Sequence, residues 1–497
     1  MSSLAETGML SSGAPARRHY NVTFAVLALG VFAYAVMQTF VTPVLPTLQA
    51  DLHTSQSTVT WVLTANLLSA SIATPIFGRI GDKVGKKKMF VWSLVALAVG
   101  SLIGALATSI GVLIVARVIQ GIGGGVLPLA FGIIRDELPP QKVSSAVGLV
   151  AALVAAGGGL AIVLAGPVIE ALNYHFLFWI PMVVVCFAIA LTVLLVPESP
   201  IRLDGPISFI GGALLTGWLV ALLIAVSEGS TWGWADGKTL GLVAVAIVIA
   251  IVWYFCESRS RAPLIDMQMM KLPAVWTTNL VAFLFGAGMY AAFAFVPGFV
   301  QSPRHTVGYG FDANVTQSGL FLLPLTVFMF VFGAISARLS ARFGAKQVLV
   351  VAATISAVGY AMLAFVHDER WEIYFASAII GIALGLGFAA MSNLIVMAVP
   401  SSQTGVATGM NANIRTIGGS IGAAVTATIV TAGVSSGGLP PESGYRNGYA
   451  VLAGIAVLST LATIMIPVKR GDESVVEQPH AELALVAGGT LAGSESE

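Results

Sequence analysis
Apolar runs of about twenty residues, the length a helix needs to cross a hydrocarbon core, recur along nearly the whole of this 497-residue chain. With ends set to within a few residues they cover 22–45, 58–78, 89–108, 111–134, 143–168, 174–196 and 206–227. They continue over 238–256, 275–299, 316–337, 347–366, 372–399, 404–432 and 446–467. The runs lack the period-two alternation of a barrel strand, and a helix satisfies its own backbone where no water is present. Only 9% of residues are charged and 57% are hydrophobic, whereas a soluble chain carries about 25% charged residues. The expected fold class is therefore an all-α integral membrane protein with fourteen transmembrane helices, with the lipid bilayer as its solvent.

An even number of spans puts both termini on one side, and the distribution of cations tests which side. With the termini cytoplasmic, the inner segments hold Arg17, Arg18, Arg79, Lys83, Lys86, Lys87, Lys88, Arg135, Lys142, Arg202, Arg259, Arg261, Lys271, Arg338, Arg342, Lys346, Lys469 and Arg470. The outer loops hold Lys238, Arg304, Arg370 and Arg446, a ratio of 18 to 4 that one misplaced span would scramble. The expected location is a multi-pass place in the plasma membrane with both ends cytoplasmic. No short apolar segment with a cleavage site precedes the first span, so no cleaved signal peptide is expected.

Several function classes lose support here. No Walker-type Gly-x4-Gly-Lys-Ser/Thr loop occurs, and "QGIGGG" (120–125) lies inside an apolar run with no preceding strand, so it does not read as a dinucleotide fingerprint. Cys186 and Cys256 show no metal-like spacing. No cofactor, metal or nucleic-acid partner is expected, nor any enzymatic centre.

The chain resembles itself at a shift of 259 to 261 residues. "GRIGDKVGKKK" (78–88) lies over "ARLSARFGAKQ" (337–347), "QGIGGG" over "IGIALG" (380–385), Pro140 over Pro400, and "GLVAALVAAGG" (148–158) over "GMNANIRTIGG" (409–419). Spans 1–6 thus match spans 9–14. The expected division is a tail at 1–21, a six-helix bundle at 22–200, two additional helices at 201–270, a second six-helix bundle at 271–470, and a disordered tail at 471–497. Two related halves are a transporter architecture, with the substrate site between them near mid-membrane.

Two arginines fall within spans, Arg117 and Arg415. A mid-span arginine costs about 2.5–3.5 kcal/mol on insertion scales, so each is expected to face a wet cavity or a partner. Each reads either as a carbonyl-bonded or ion-paired brace of the bundle, or as a group that attracts anions and tunes a carboxylate. Acids are absent from the span centres. Glu170, about one turn from His175 at an outer span end, is the candidate proton carrier; Glu228, Asp136 and Glu137 also sit at span ends. Mid-span polar and aromatic residues supply the candidate cavity wall: Gln38, Thr42, Trp61, Thr64, Asn66, Gln120, Tyr290, Asn393, Asn411 and Asn413. Gln38 and Thr42 share a helix face at i, i+4, as do Trp61 and Thr64 at i, i+3. With Phe and Met neighbours such a set suits an uncharged or weakly charged organic substrate. Gly148, Gly157, Gly158, Gly166 and Pro167 thin one face of span 5, and Gly418 and Gly422 do so in span 13, permitting close helix approach that a moving bundle could remake.

These motifs resemble those of the major facilitator superfamily, in particular its fourteen-span drug:proton antiporter branch. "GRIGDKVGKKK" is similar to the superfamily's loop signature after span 2, "LIVARVIQGIGGG" (113–125) to its span-4 signature, and "GLVAALVAAGGGLAIVLAGP" (148–167) to the span-5 signature of antiporters. "SEGSTWGW" (227–234) and "ESRSRAPLID" (257–266) resemble the branch around its extra helices. The chain departs where the branch carries a span-1 acid, having Met37 in "VMQTFVT" (36–42); where span 5 continues Gly-Gly, having Glu170-Ala171; and where span 2 has an aromatic, having Asn66. The resemblance implies a monomeric secondary exporter of amphiphilic organic compounds, driven by protons through rocker-switch alternating access, in a bacterial membrane. It links the span-4 arginine, here Arg117, to coupling. It also implies a gate built on Gly78, Arg79, Asp82, Lys83 and Gly85, with Asp82 paired to Arg135 at the end of span 4. The missing span-1 acid keeps open a proton-independent facilitator or importer.

Overall fold
The computed structural model describes residues 20–54, 56–199, 208–260, 263–400, 403–432 and 439–467. The expected tail at 471–497 and residues 1–19 of the other, with Arg17 and Arg18, fall outside the described residues, as do Arg202, Arg261, Lys469 and Arg470. Among the described residues there is no strand. Fourteen long helical segments follow one another. The first six are α1 (Tyr20–Val44), α2 (Gln56–Val84), α3 (Lys86–Ala105), α4 (Ile110–Glu137), α5 (Pro140–Ala171) and α6 (Phe176–Leu195). Then come α7 (Phe209–Trp232) and α8 (Gly237–Arg259). The last six are α9 (Pro273–Gln301), α10 (Val315–Phe343), α11 (Ala345–Phe365), α12 (Arg370–Ala398), α13 (Thr404–Val430) and α14 (Glu442–Ile464).

Thirteen of these segments are both long and apolar enough to cross a membrane, one fewer than the sequence reading counts. The exception is α13: at 27 residues it has the length, but Asn411, Asn413 and Arg415 fall in its middle and lower its hydropathy.

Three segments are interrupted where the sequence weakens the α-helix. In α1 the regular helix stops at Thr39 and resumes as a 3-10 turn over Thr42–Val44, where Pro43 offers no N–H. In α4 the glycines of Ile122–Gly125 tighten one turn to 3-10. In α10 the helix breaks at Leu322. The turns after α2 and α10 are built alike: Gly85 takes φ 128° and Gly344 φ 88°, a region that L-residues with a Cβ avoid, and each directly precedes the next helix.

The apolar core divides. One cluster is built from α9 to α12 and α14, another from α1, α3, α4, α5 and α6, and a further one joins α7 and α8 to α9, α12 and α13. The two sets of six helices meet along two seams. On one, α5 packs on α10 and α12; on the other, α13 packs on α2 and α4. Under the repeat, α2 corresponds to α10 and α5 to α13, so the two seams are the same helix pairing formed twice. The inserted α7 breaks that symmetry, since it lies against both α2 and α13 and covers the second seam only. Large apolar side chains such as Trp92, Phe187, Ile210, Phe255 and Phe365 are exposed around the periphery, as contact with lipid requires.

Candidate functional site
A cavity of about 530 Å³ lies between the two sets of helices, within the range of small-molecule sites. Its wall is contributed by α1, α2, α4, α5, α7, α9, α12 and α13. It reaches Thr42 in α1 and Ala427 in the last turn of α13, yet stops at Thr74 in α2 and Ala412 in α13, well short of their other ends. It is thus displaced away from the end that carries the basic α2–α3 turn, called the basic end below.

Of the sequence-derived cavity residues, Gln38, Thr42, Thr64, Tyr290 and Asn413 line this space. They are joined by Arg415, whose guanidinium carbon stands 4.7 Å from the centre of the Phe388 ring. Tyr34, Ser227 and Phe388 also line it and were not singled out from the sequence. Tyr34 could have been found by stepping the Gln38–Thr42 face back one turn. Ser227 could not, because its place depends on where the inserted pair docks; there it shares a 2.6 Å hydrogen bond with Thr64.

The remaining candidates sit elsewhere. Trp61 is off the cavity wall, since the face of α2 that lines the cavity runs through Leu63, Thr64, Leu67, Ser71 and Thr74. Asn66 is buried against α4, its backbone oxygen facing Gly121. Asn393 is buried on the face of α12 toward Gly148 of α5, and Asn411 donates a 2.9 Å hydrogen bond to Asn279 of α9. Gln120 is tied into a buried network, donating to Ser101 Oγ at 2.7 Å while accepting from Arg117.

Arg117 is fully buried and does not line the cavity. It donates to Met37 O (3.0 Å), Gln38 O (3.2 Å), Val62 O (3.0 Å) and Gln120 Oε1 (2.7 Å). Met37 and Gln38 are in the last turn of the regular α1 helix, whose carbonyls have no intrahelical partner. The guanidinium therefore caps a broken span at its negative dipole end. Of the two readings open from the sequence, this geometry is that of the carbonyl-bonded brace.

At the basic end the structure corrects one expected pair. Asp82 does not meet Arg135; its Oδ1 lies 3.6 Å from Lys86 Nζ, one turn further on, and Lys86 in turn lies 2.6 Å from Asp136. Ser199 donates to Asp136 as well. Arg135 instead reaches across the second seam to Val396 O (2.7 Å), Val399 O (3.3 Å) and the Thr404 hydroxyl. Beside it Gly78 faces the backbone of Gly405. Gly85 closes the turn next to Glu198, which accepts from Lys87 N at 3.0 Å; Arg79 is partly buried and Lys83 exposed. These contacts close the basic end beneath the cavity.

The packing glycines fall into two groups. On α5, Gly148 faces Ala337 and Ala389 and Gly166 faces Thr316, all across the first seam, whereas Gly157 and Gly158 face Phe32, Ala35 and Thr39 of α1. Gly418 and Gly422 of α13 face Phe283 and Ala287 of α9, not the opposite set of helices. Pro167 is exposed inside α5 and lines a separate apolar groove with Phe32 and Ile180. Glu170 is exposed near the end of α5, away from the cavity.

A family model described as the Major Facilitator Superfamily matches residues 27–423 and 306–490. The tetracenomycin C resistance and export protein of Streptomyces glaucescens is 28% identical over 419 residues, covering 83% of this chain and 76% of its own. The multidrug transporter protein MdtP of Bacillus subtilis is 26% identical over 431 residues, covering 85% and 77%. Among solved structures, the human organic anion transporter MFSD10 (TETRAN) superposes with a TM-score of 0.66 at 14% identity, covering 89% of this chain and 99% of that one, a likeness of fold.

Proposed function
Because the chain belongs to the major facilitator superfamily, we propose that this multi-pass membrane transporter is a secondary active exporter of amphiphilic organic compounds, of the multidrug and antibiotic efflux type. Proton influx drives it, and rocker-switch motion of the two helix sets alternates access. The observation that carries this reading is the 530 Å³ amphipathic cavity between the sets, closed at one end by the contacts of Arg135. The Streptomyces relative is named a resistance and export protein, and the Bacillus relative a multidrug transporter.

In this reading α13 is the fourteenth span. Its polar centre is tolerated because Arg415 and Asn413 face the cavity rather than lipid. Both termini and the basic end are cytoplasmic, the protein acts as a monomer in a bacterial plasma membrane, and residues 22–200 and 271–470 move as two bundles, with 201–270 as the added pair between tails 1–21 and 471–497. Gly78, Arg79, Asp82, Lys83, Gly85 and Arg135 form the inner gate. Coupling rests on Arg117, Glu170 and Arg415, of which Arg415 is the one in contact with the cavity.

A second reading, a facilitator or importer that ignores the proton gradient, is favoured by one observation: among the described residues no carboxylate lines the cavity. Counterflow in proteoliposomes with an imposed pH gradient decides between them, since transport indifferent to the gradient overturns antiport. Drug susceptibility and accumulation in a pump-deficient host, with and without an uncoupler, test export itself. Unchanged susceptibility to every amphiphile tried would overturn it.

A further inference from the structure
We infer that the cavity takes aromatic organic anions carrying one acidic group, a carboxylate or phenolate, which docks on Arg415 while the ring lies against Phe388, Tyr34 and Tyr290. The inference rests on the exporter reading and narrows its substrate class.

The argument starts from a cation without a counter-charge. Arg415 is on the cavity wall, and among the described residues its guanidinium has no carboxylate partner and no protein hydrogen-bond acceptor; its one charge-specific contact is the face of Phe388. The ionisable groups in its field are Tyr290 and Tyr34, and Tyr34 also feels Arg117. Phenols are neutral near pH 7. The middle of the cavity is therefore a region of positive potential with no acid to balance it.

The other polar groups on the wall are mostly committed. Thr39 donates to Gly158 O, Thr74 to Gly124 O, Thr416 to Ala412 O, and Thr64 bonds Ser227. Asn413 gives one amide N–H to Ser71 O. Arg415 is left with free donors in a planar fork, the arrangement that matches a carboxylate or phenolate oxygen. A cationic compound would meet like charge there, with no acidic side chain on the wall to offset it. Phe388 and Tyr290 supply the flat apolar surface for a ring.

The test is equilibrium binding to the purified full-length protein in nanodiscs. Three probes share one ring: 2-naphthoate, methyl 2-naphthoate and 2-naphthyltrimethylammonium. The acid should bind about tenfold or more tighter than the ester, the yield of one charge-assisted hydrogen-bonded pair, and the cation weakest. Arg415→Gln should remove the preference for the acid, and a thermal midpoint near that of wild type reports that the variant is folded. Arg415→Lys should keep a reduced preference, so the test stays decisive if the glutamine variant does not fold. Equal binding of the three probes, or an acid preference that survives Arg415→Gln, overturns the inference and leaves the exporter reading standing. A wild-type protein that binds none of the three also overturns the inference, while the exporter reading stands or falls by the susceptibility and accumulation assay.

Discussion

Lys86 Nζ lies 2.6 Å from Asp136 Oδ2, and the two side chains are 5% and 1% exposed, so the start of α3 is tied to the end of α4 by a nearly dry ion pair. Removing one partner of such a pair leaves the other buried and uncompensated, at a cost of about 3–5 kcal/mol. Lys86→Met should therefore lower the thermal midpoint in detergent sharply. Lys86→Met with Asp136→Asn should regain part of the loss. Equal midpoints for wild type and the single variant would mean that the pair is hydrated.

Arg135 makes the polar contacts that join α4 to α12 and α13 across the second seam at the basic end. Losing them should favour the conformation open at that end by roughly 1–3 kcal/mol, or about 5- to 150-fold in population. Spin labels at the exposed positions 83 and 342, which lie in opposite helix sets, should report a longer distance in Arg135→Ala. A distribution identical to wild type would mean that the arginine is not a latch.

Arg117 and Arg415 should part company when stability is measured. Arg117→Ala strands Met37 O, Gln38 O and the Gln120 amide, and each buried unpaired acceptor costs about 1–3 kcal/mol. Arg117→Lys should rescue little, because one ammonium cannot span three acceptors on α1 and α2. Arg415→Gln breaks only the contact with Phe388, and should move stability by less than about 1 kcal/mol. Comparable thermal midpoints for Arg117→Ala and Arg415→Gln would refute the bracing role.

The glycines separate in the same way. A Cβ on Gly418 would collide with the backbone oxygen of Phe283, which cannot move without shifting α9. A Cβ on Gly148 would rest 3.6 Å from Ala389, at ordinary contact distance. Gly418→Ala should sharply reduce folded yield by size-exclusion chromatography; Gly148→Ala should fold normally.

The spans were legible because hydropathy over some twenty residues is a local property, and α13 fell at the margin because its polar residues turn toward the cavity and α9. Gln38, Thr42, Thr64 and Tyr290 could be placed on the cavity from helical spacing and depth. Trp61 could not, since i, i+3 spacing says which residues share a face but not where that face points. Partners were the least legible. The i, i+4 spacing of Asp82 and Lys86 was open to view, yet the family resemblance pointed to Arg135. What Arg135 meets, residues some 260 positions away in α12 and α13, is fixed by the docking of two helix sets, which no local pattern encodes. The brace on Arg117 was hidden for the same reason: it depends on α1 breaking at Thr39 beside α4.

α7 is bonded to both sides of the seam it covers. Ser227 shares a hydrogen bond with Thr64 of α2, and the Trp234 indole just beyond α7 donates to Thr428 of α13 at 2.8 Å. A body hinged to two others that turn against each other can travel with only one of them. In any cycle that separates α2 from α13 at this end, one of these two bonds has to slip, and its identity assigns the inserted pair to one moving half. The helix pair that distinguishes this chain from a plain twofold repeat thus ends the equivalence of the two seams, since the one beneath α7 is bridged by these two side-chain bonds.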